Sequence, residues 1–266
     1  MELLDYFDRV AIIHLPDRED RYRTLRAELS RIDIDINGPK VVIPHAPMPP
    51  TTNGYTSRGV YGSFLSHLEI LEAAYRDGLE TVWVLEDDAI FSKRFRSQQA
   101  AVTRHLKAND WDMFFVGHTV LNSLPDSPTD LLRFSGPFLW AHSYAVHRRI
   151  MSRLIEYLRK TEERPEGHPE GGKVYIDAAY FLFRQIYPDV ISIVSSPCFS
   201  VQKGSPSSLN TLPWYKRVFP FSLGVNLARE LRDEFWRQGW MRINGPQLGL
   251  GPVKITSGPP ETWPRV

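Results

Sequence analysis

Glu86, Asp87 and Asp88 stand in a row at the end of the run "TVWVL". An apolar, β-branched run of that length predicts a buried strand, and ligands of open α/β sheets gather outside the carboxyl ends of strands. Two carboxylates about 4 Å apart repel by roughly 4 kcal/mol at an effective dielectric near ~20. Three at one strand end therefore call for a cation or for basic neighbours. Mg²⁺ or Mn²⁺ answers the first demand, since each takes oxygen ligands from one or two carboxylates plus substrate phosphates. The second answer has Asp88 capping a following helix, with Glu86 and Asp87 in solvent beside Lys93, Arg94 and Arg96. On the triplet alone the two readings stand about even.

The elements that must position these carboxylates alternate in type. "RVAIIHL" predicts a strand, and Pro16 and Asp17 open a helix whose apolar positions are Tyr22, Leu25, Leu29 and Ile32. "VVIPHAPMPPTTNGYTSRG" reads as a loop. Phe64, Leu68, Leu71 and Tyr75 form the stripe of a second helix, which Gly78 ends as its C′ residue. Further strands fall in "WDMFFVG", "HSYAVH" and "DVISIVSSP", and further helices in "RRIMSRLIEYLRK" and in "YIDAAYFLFRQI", opened by Asp177, with a loop over 162–172. Strands alternating with helices predict an α/β layered domain with a mainly parallel sheet.

Composition bounds the function. The 266 residues are 42% apolar, enough for a sizeable core, and the net charge of +1 argues against a protein that coats nucleic acid. The one cysteine, Cys198, excludes an intramolecular disulfide and a thiolate zinc cluster and fits a reducing compartment. Acidic residues precede the first apolar run, the wrong order for a signal peptide, and no run reaches the length of a membrane span. The expected location is the cytoplasm, at most peripheral to a membrane. Gly-x-Gly-x-x-Gly, Gly-Lys-Ser/Thr, His-Glu-x-x-His and Gly-x-Ser-x-Gly are all absent from the sequence, which weakens dehydrogenase, P-loop, zincin and serine hydrolase readings. Residues 213–242 hold six Lys and Arg against three Asp and Glu, interleaved with aromatics. They read as a helix packing Leu227, Leu231 and Phe235 on the core, or alternatively as a membrane-surface element.

The ordered series "AIIHLPDREDRYRTL", "GVYGSFLSHLEILEAAYRDG" and "LEDDAIF" resembles glycosyltransferase family 25, the lipopolysaccharide-type and collagen-type galactosyltransferases. Its motifs fall on Asp17, Arg18 and Arg21, then on Gly59, Gly62, Ser66 and His67, then on Glu86, Asp87 and Asp88. "HSYAVHRRIMSRL", with His142 and Tyr144, "YIDAAY" and "FSVQKGSPSSL" continue it, so that the resemblance runs over roughly residues 9–210. The sequence after 210 matches no part of the pattern.

The resemblance implies a GT-A-like (Rossmann-like) domain over 1–210 and a C-terminal extension over 211–266. It also implies an inverting transfer of a hexose, galactose first, from a UDP-sugar to a glycan or glycolipid acceptor, with Mn²⁺ or Mg²⁺. Asp88 then holds the metal, with Glu86 as a second ligand, while Glu86 and Asp87 also reach the nucleotide or the metal's outer sphere. Asp17, Arg18, Arg21 and His67 are expected at the nucleotide, and Gln202 and Ser205, with Ser208, at sugar or phosphate. Asp177 is the expected general base; His118 and His142 are weaker ligand candidates. Two rivals share the fold: a metal-dependent sugar nucleotidyltransferase, and a catalytically degenerate glycan-binding module.

Overall fold

The structure, a computed structural model, describes residues 3–120, 124 and 130–203. In chain order its first half runs α1 (Leu3–Tyr6), β1 (Arg9–Ile13), α2 (Glu19–Arg31), β2 (Val41–Val42), α3 (Arg58–Arg76), β3 (Thr81–Glu86), β4 (Ala89–Phe91) and α4 (Lys93–Ala108). The second half runs β5 (Met113–Phe115), β6 (Thr119–Val120), β7 (Leu131–Arg133), β8 (Phe138–Leu139), β9 (Ser143–His147), α5 (Arg148–Glu163), α6 (Ile176–Ile186), β10 (Ser192–Ser195) and β11 (Ser200–Gln202).

Seven strands form one sheet in the order β2-β1-β3-β9-β5-β10-β7. β1 pairs parallel with β2 and β3, and β5 with β10. β9 runs antiparallel to both β3 and β5, and β7 antiparallel to β10. The sheet is thus mixed and mostly of one direction, as the alternation of elements predicts, but "HSYAVH" departs from the parallel reading. The physical reason is the connection: between β5 and β9 no helix among the described residues carries the chain back across the sheet. Without that crossover a strand re-enters antiparallel.

Two cores flank the sheet, and β3 feeds both. Val82 and Val84 pack on the side of α3, α5 and α6, while Trp83 and Leu85 pack on the side of α2 and α4. This is the two-residue period of a strand buried on both faces, and each such side chain contributes about 1.5–3 kcal/mol by leaving water. Helix α3 begins where Ser57 Oγ accepts from Val60 N at 3.1 Å and ends before Gly78, whose φ of +76° is the left-handed conformation expected of a C′ glycine. Gly62 lets α3 meet the preceding loop, since a Cβ there would lie 2.6 Å from Pro47 O. A short ribbon pairs β4 with β11, Ala89 against Gln202 and Ile90 against Val201, and returns the chain beside the carboxylate triplet.

Candidate active site at the carboxyl end of the central strand

The period that fills the two cores also parts the carboxylates. Glu86 continues the Val82–Val84 face and meets α3, where His67 Nε2 lies 3.3 Å from its Oε1; Gln202 Nε2 donates to its Oε2 at 3.1 Å. Asp87 turns to the opposite side, where Arg21 Nη1 donates to its Oδ1 at 2.7 Å and His14 Nδ1 lies 2.9 Å from its Oδ2. Asp88 lies in the turn between β3 and β4, its carbonyl accepting from Lys203 N at 2.7 Å. Arg21 Nη1 stands 3.3 Å from its Oδ2. Its other carboxylate oxygen, Oδ1, is buried without a hydrogen-bond partner.

These surroundings shift Glu86 and Asp88 in opposite directions. Burial, then the charges of Glu86 and Asp87, push Asp88 up to about 8 against the pull of Arg21. Burial also works to raise Glu86, but His67, His142 and Gln202 outweigh it and hold that carboxyl below its usual range. Of the three, Asp88 is the one with a buried carboxylate oxygen that has no hydrogen-bond partner, although Arg21 stands beside its other oxygen.

Asp177 stands in the first turn of α6, with Tyr175 and not Asp177 as the N-cap residue. Its Oδ1 accepts from Ala178 N at 2.8 Å and its Oδ2 from Trp140 N at 3.3 Å. Burial raises its pKa, the two backbone N–H groups oppose this, and the charge of Glu86 adds to the rise. Trp140 itself holds a φ of +75°.

Several expectations change against this geometry. His67 is fully buried, so direct contact with a nucleotide gives way to a positioning role: its Nδ1 lies 2.8 Å from the Tyr144 hydroxyl, which lies 2.6 Å from that of Tyr180. Both oxygens of Glu86, expected as a second metal ligand, have protein partners, His67 and Gln202. Arg18 forks onto Asp20, with both bonds at 3.0 Å, while remaining within the electrostatic reach of Asp87 and Asp88, and Asp17 lies exposed in the turn before α2. The basic partners of the triplet are Arg21 and His14, whereas Arg94 pairs with Asp130 and Arg96 with Asp33. Helix α4 is capped by Ser92 and not by Asp88. His118 and His142 are buried and neutral, each pushed down to about 4 by burial. Ser205, Ser208 and the segment 213–242 lie outside the described residues.

Four residues of the site had no assigned role in the sequence reading. His14 follows the β1 run directly, a position that could have flagged it, and Tyr180 follows Asp177 by three residues on the same helix face. Tyr144 carried only the resemblance, and nothing in the pattern marked Trp140. Beside the site, a cavity of about 390 Å³ is lined by Ile13, Pro44, His45, Ser66 and Glu69, among others. It adjoins the triplet through Ile13, whose carbonyl accepts from Asp87 N at 3.1 Å.

A mixed, mostly parallel sheet with helices on both faces and carboxylates at the end of an inner strand defines a layered α/β protein. Residues 52–165, less than half of the chain, match the family profile "Glycosyltransferase family 25 (LPS biosynthesis protein)". It is 27% identical over 172 residues to the human "Inactive glycosyltransferase 25 family member 3", a match covering 56% of this chain and 29% of that protein. It is 27% identical over 174 residues to "Procollagen galactosyltransferase 1-B" of Xenopus laevis, covering 56% of this chain and 28% of that protein. The matches thus span less than a third of the length of these curated relatives. Among solved structures, one described as a glycosyltransferase involved in the glycosylation of the major capsid of PBCV-1 aligns with a TM-score of 0.48 at 11% identity, covering 85% of this chain and 99% of that one.

Proposed function

We propose that the chain is an inverting, metal-assisted glycosyltransferase that moves a hexose from a UDP-sugar to a glycan acceptor. One observation carries the reading: Asp88 keeps a buried, unpartnered carboxylate oxygen at the end of the central strand, beside an arginine. A buried carboxyl group with an unpartnered oxygen resists ionisation, and a cation bound there relieves the cost of the charged form. Asp88 therefore fits Mn²⁺ or Mg²⁺ as a single carboxylate ligand, the kind of site that substrate phosphates complete. Bound there, the ion would supply charge neutralisation for the diphosphate leaving group.

The chain's own residues take the remaining tasks. Arg21, held between Asp87 and Asp88, presents guanidinium N–H groups where phosphate would lie. Glu86, kept ionised by His67 and Gln202, is placed for the ribose or for a metal-bound water. The neighbouring cavity suits a base and ribose. Asp177, partly desolvated with a raised pKa, is suited to take the proton of an acceptor hydroxyl. The galactosyltransferase name of one relative supports galactose as the sugar to test first.

A second reading is a glycan-binding module without turnover. It is favoured by the relative named as inactive, which matches at the same identity as the galactosyltransferase, and by the lack of a multi-ligand metal cage among the described residues. Calorimetric titration with UDP, with and without Mn²⁺, separates the two. The transferase reading expects UDP affinity to rise at least about tenfold with Mn²⁺ and a hexosyl product from a UDP-hexose. Binding of glycans with no dependence on either ligand would establish the module.

A further inference from the structure

Trp140 has a φ of +75°, a left-handed backbone that bulky side chains seldom adopt. Such conformations persist where the surroundings over-determine them, often at ligand sites. Two contacts do so here. The Trp140 N–H donates to Asp177 Oδ2 at 3.3 Å, and its ring packs against the buried Ile90 and Val201 of the β4–β11 ribbon, edge-on to His142 with 5.8 Å between centroids. Unlike Trp83 and Trp111, which lie in the core, this indole is only half-buried. Glycine would meet the same backbone demand without strain, so the backbone alone gives no reason for an indole at this position, and the ring covers Ile90 and Val201 while staying partly open to solvent.

One residue therefore fixes the candidate base through its backbone and presents an aromatic surface beside it. Each Asp177 oxygen already accepts one N–H bond and retains a lone pair for a further donor. Resting on the reading of Asp177 as the base of a sugar transfer, we propose that Trp140 is the acceptor platform. The C–H face of an acceptor hexose stacks on its indole, and a hydroxyl of that ring points at Asp177. Because amide and ring belong to the same residue, the distance from base to acceptor is set locally, the positional control that an in-line displacement needs. A large ring in a pocket with few, placed polar groups is the usual composition of a specificity site.

The test uses the full chain labelled with ¹⁵N at tryptophan, with UDP and Mn²⁺ present, titrated with the methyl β-glycosides of galactose, glucose and N-acetylglucosamine. The Trp140 indole N–H resonance is identified by its loss in Trp140→Gly. At least one glycoside should shift that resonance. Trp140→Gly should still fold and melt cooperatively yet bind that glycoside at least about tenfold more weakly, with UDP affinity unchanged. Trp140→Phe, which keeps an aromatic face, should retain binding within about threefold and provides the comparison should the glycine variant not fold. No indole shift with any of the three glycosides, or equal glycoside binding by Trp140→Gly and wild type, would overturn the proposal. A UDP titration without glycoside reads the donor site separately, so loss of the donor reading is recognised as such while the indole shift still decides the platform.

Discussion

His67 Nδ1 lies 2.8 Å from the Tyr144 hydroxyl while its other ring nitrogen faces Glu86 Oε1 at 3.3 Å. Tyr144 also lies 2.6 Å from Tyr180, which stands one turn along α6 from Asp177. The candidate donor carboxylate and the helix of the candidate base are thereby joined by a continuous buried chain of hydrogen bonds. Tyr144→Phe removes the link and leaves a buried imidazole nitrogen unpaired. It should cost about 1–3 kcal/mol of stability in urea unfolding. Combined with Tyr180→Phe, it should cost less than the sum of the two single changes, because both remove the same bond.

Asp88 sets stability against function. With Oδ1 buried and unpartnered, and Glu86 and Asp87 nearby, Asp88→Asn removes charge without changing shape. We expect the variant, measured without divalent cations, to be more stable than wild type by about 1–3 kcal/mol, while the effect of Mn²⁺ on UDP affinity disappears. A variant that is less stable and still responds to Mn²⁺ would move the cation site elsewhere.

Gly117 is required by close approach. A Cβ there would lie 2.1 Å from His142 Nε2 and 2.9 Å from Ser200 O, and neither the fully buried ring nor the backbone can withdraw cheaply. Gly117→Ala should lower the unfolding free energy by about 1–3 kcal/mol or more. Circular dichroism melts would register this as a Tm lowered by several degrees.

His118 makes part of the stability dependent on pH. Burial depresses its folded-state pKa from 6.5 to about 4, so between those values the unfolded chain binds the extra proton. Its effect on stability is nil above about pH 6.5, and destabilisation accumulates as pH falls, reaching roughly 3 kcal/mol near pH 4. Urea unfolding at pH 7.5 and pH 4.5 should show a smaller difference between the two pH values for His118→Gln than for wild type. The variant will also lose the bond from Nε2 to Ser195 O at 2.7 Å at both pH values.

Much of the frame was legible from pattern. The stripe of Phe64, Leu68 and Leu71, the cap at Gly78 and the run ending in Glu86 each appear where local periodicity and turn chemistry put them. These signals act within a few residues, and the sequence prints them directly. The pairing of β9 was not legible in the same way, because strand direction depends on how the chain returns, and "HSYAVH" reads the same in either direction.

What the sequence by itself determined is where a site could form: acids at a strand end, an arginine in the first turn of the helix that follows β1, and an ordered set of motifs that resembles a glycosyltransferase family. What only the tertiary structure decided is how those acids divide their work. Three adjacent carboxylates look alike in a sequence, but the strand period sends Glu86 to His67 and Asp87 to Arg21 and His14, and leaves Asp88 in the turn with an oxygen unmatched. The partners that set each charge come from helices, a loop and a strand up to 116 positions away, a distance over which residue order carries no geometric information until the chain folds.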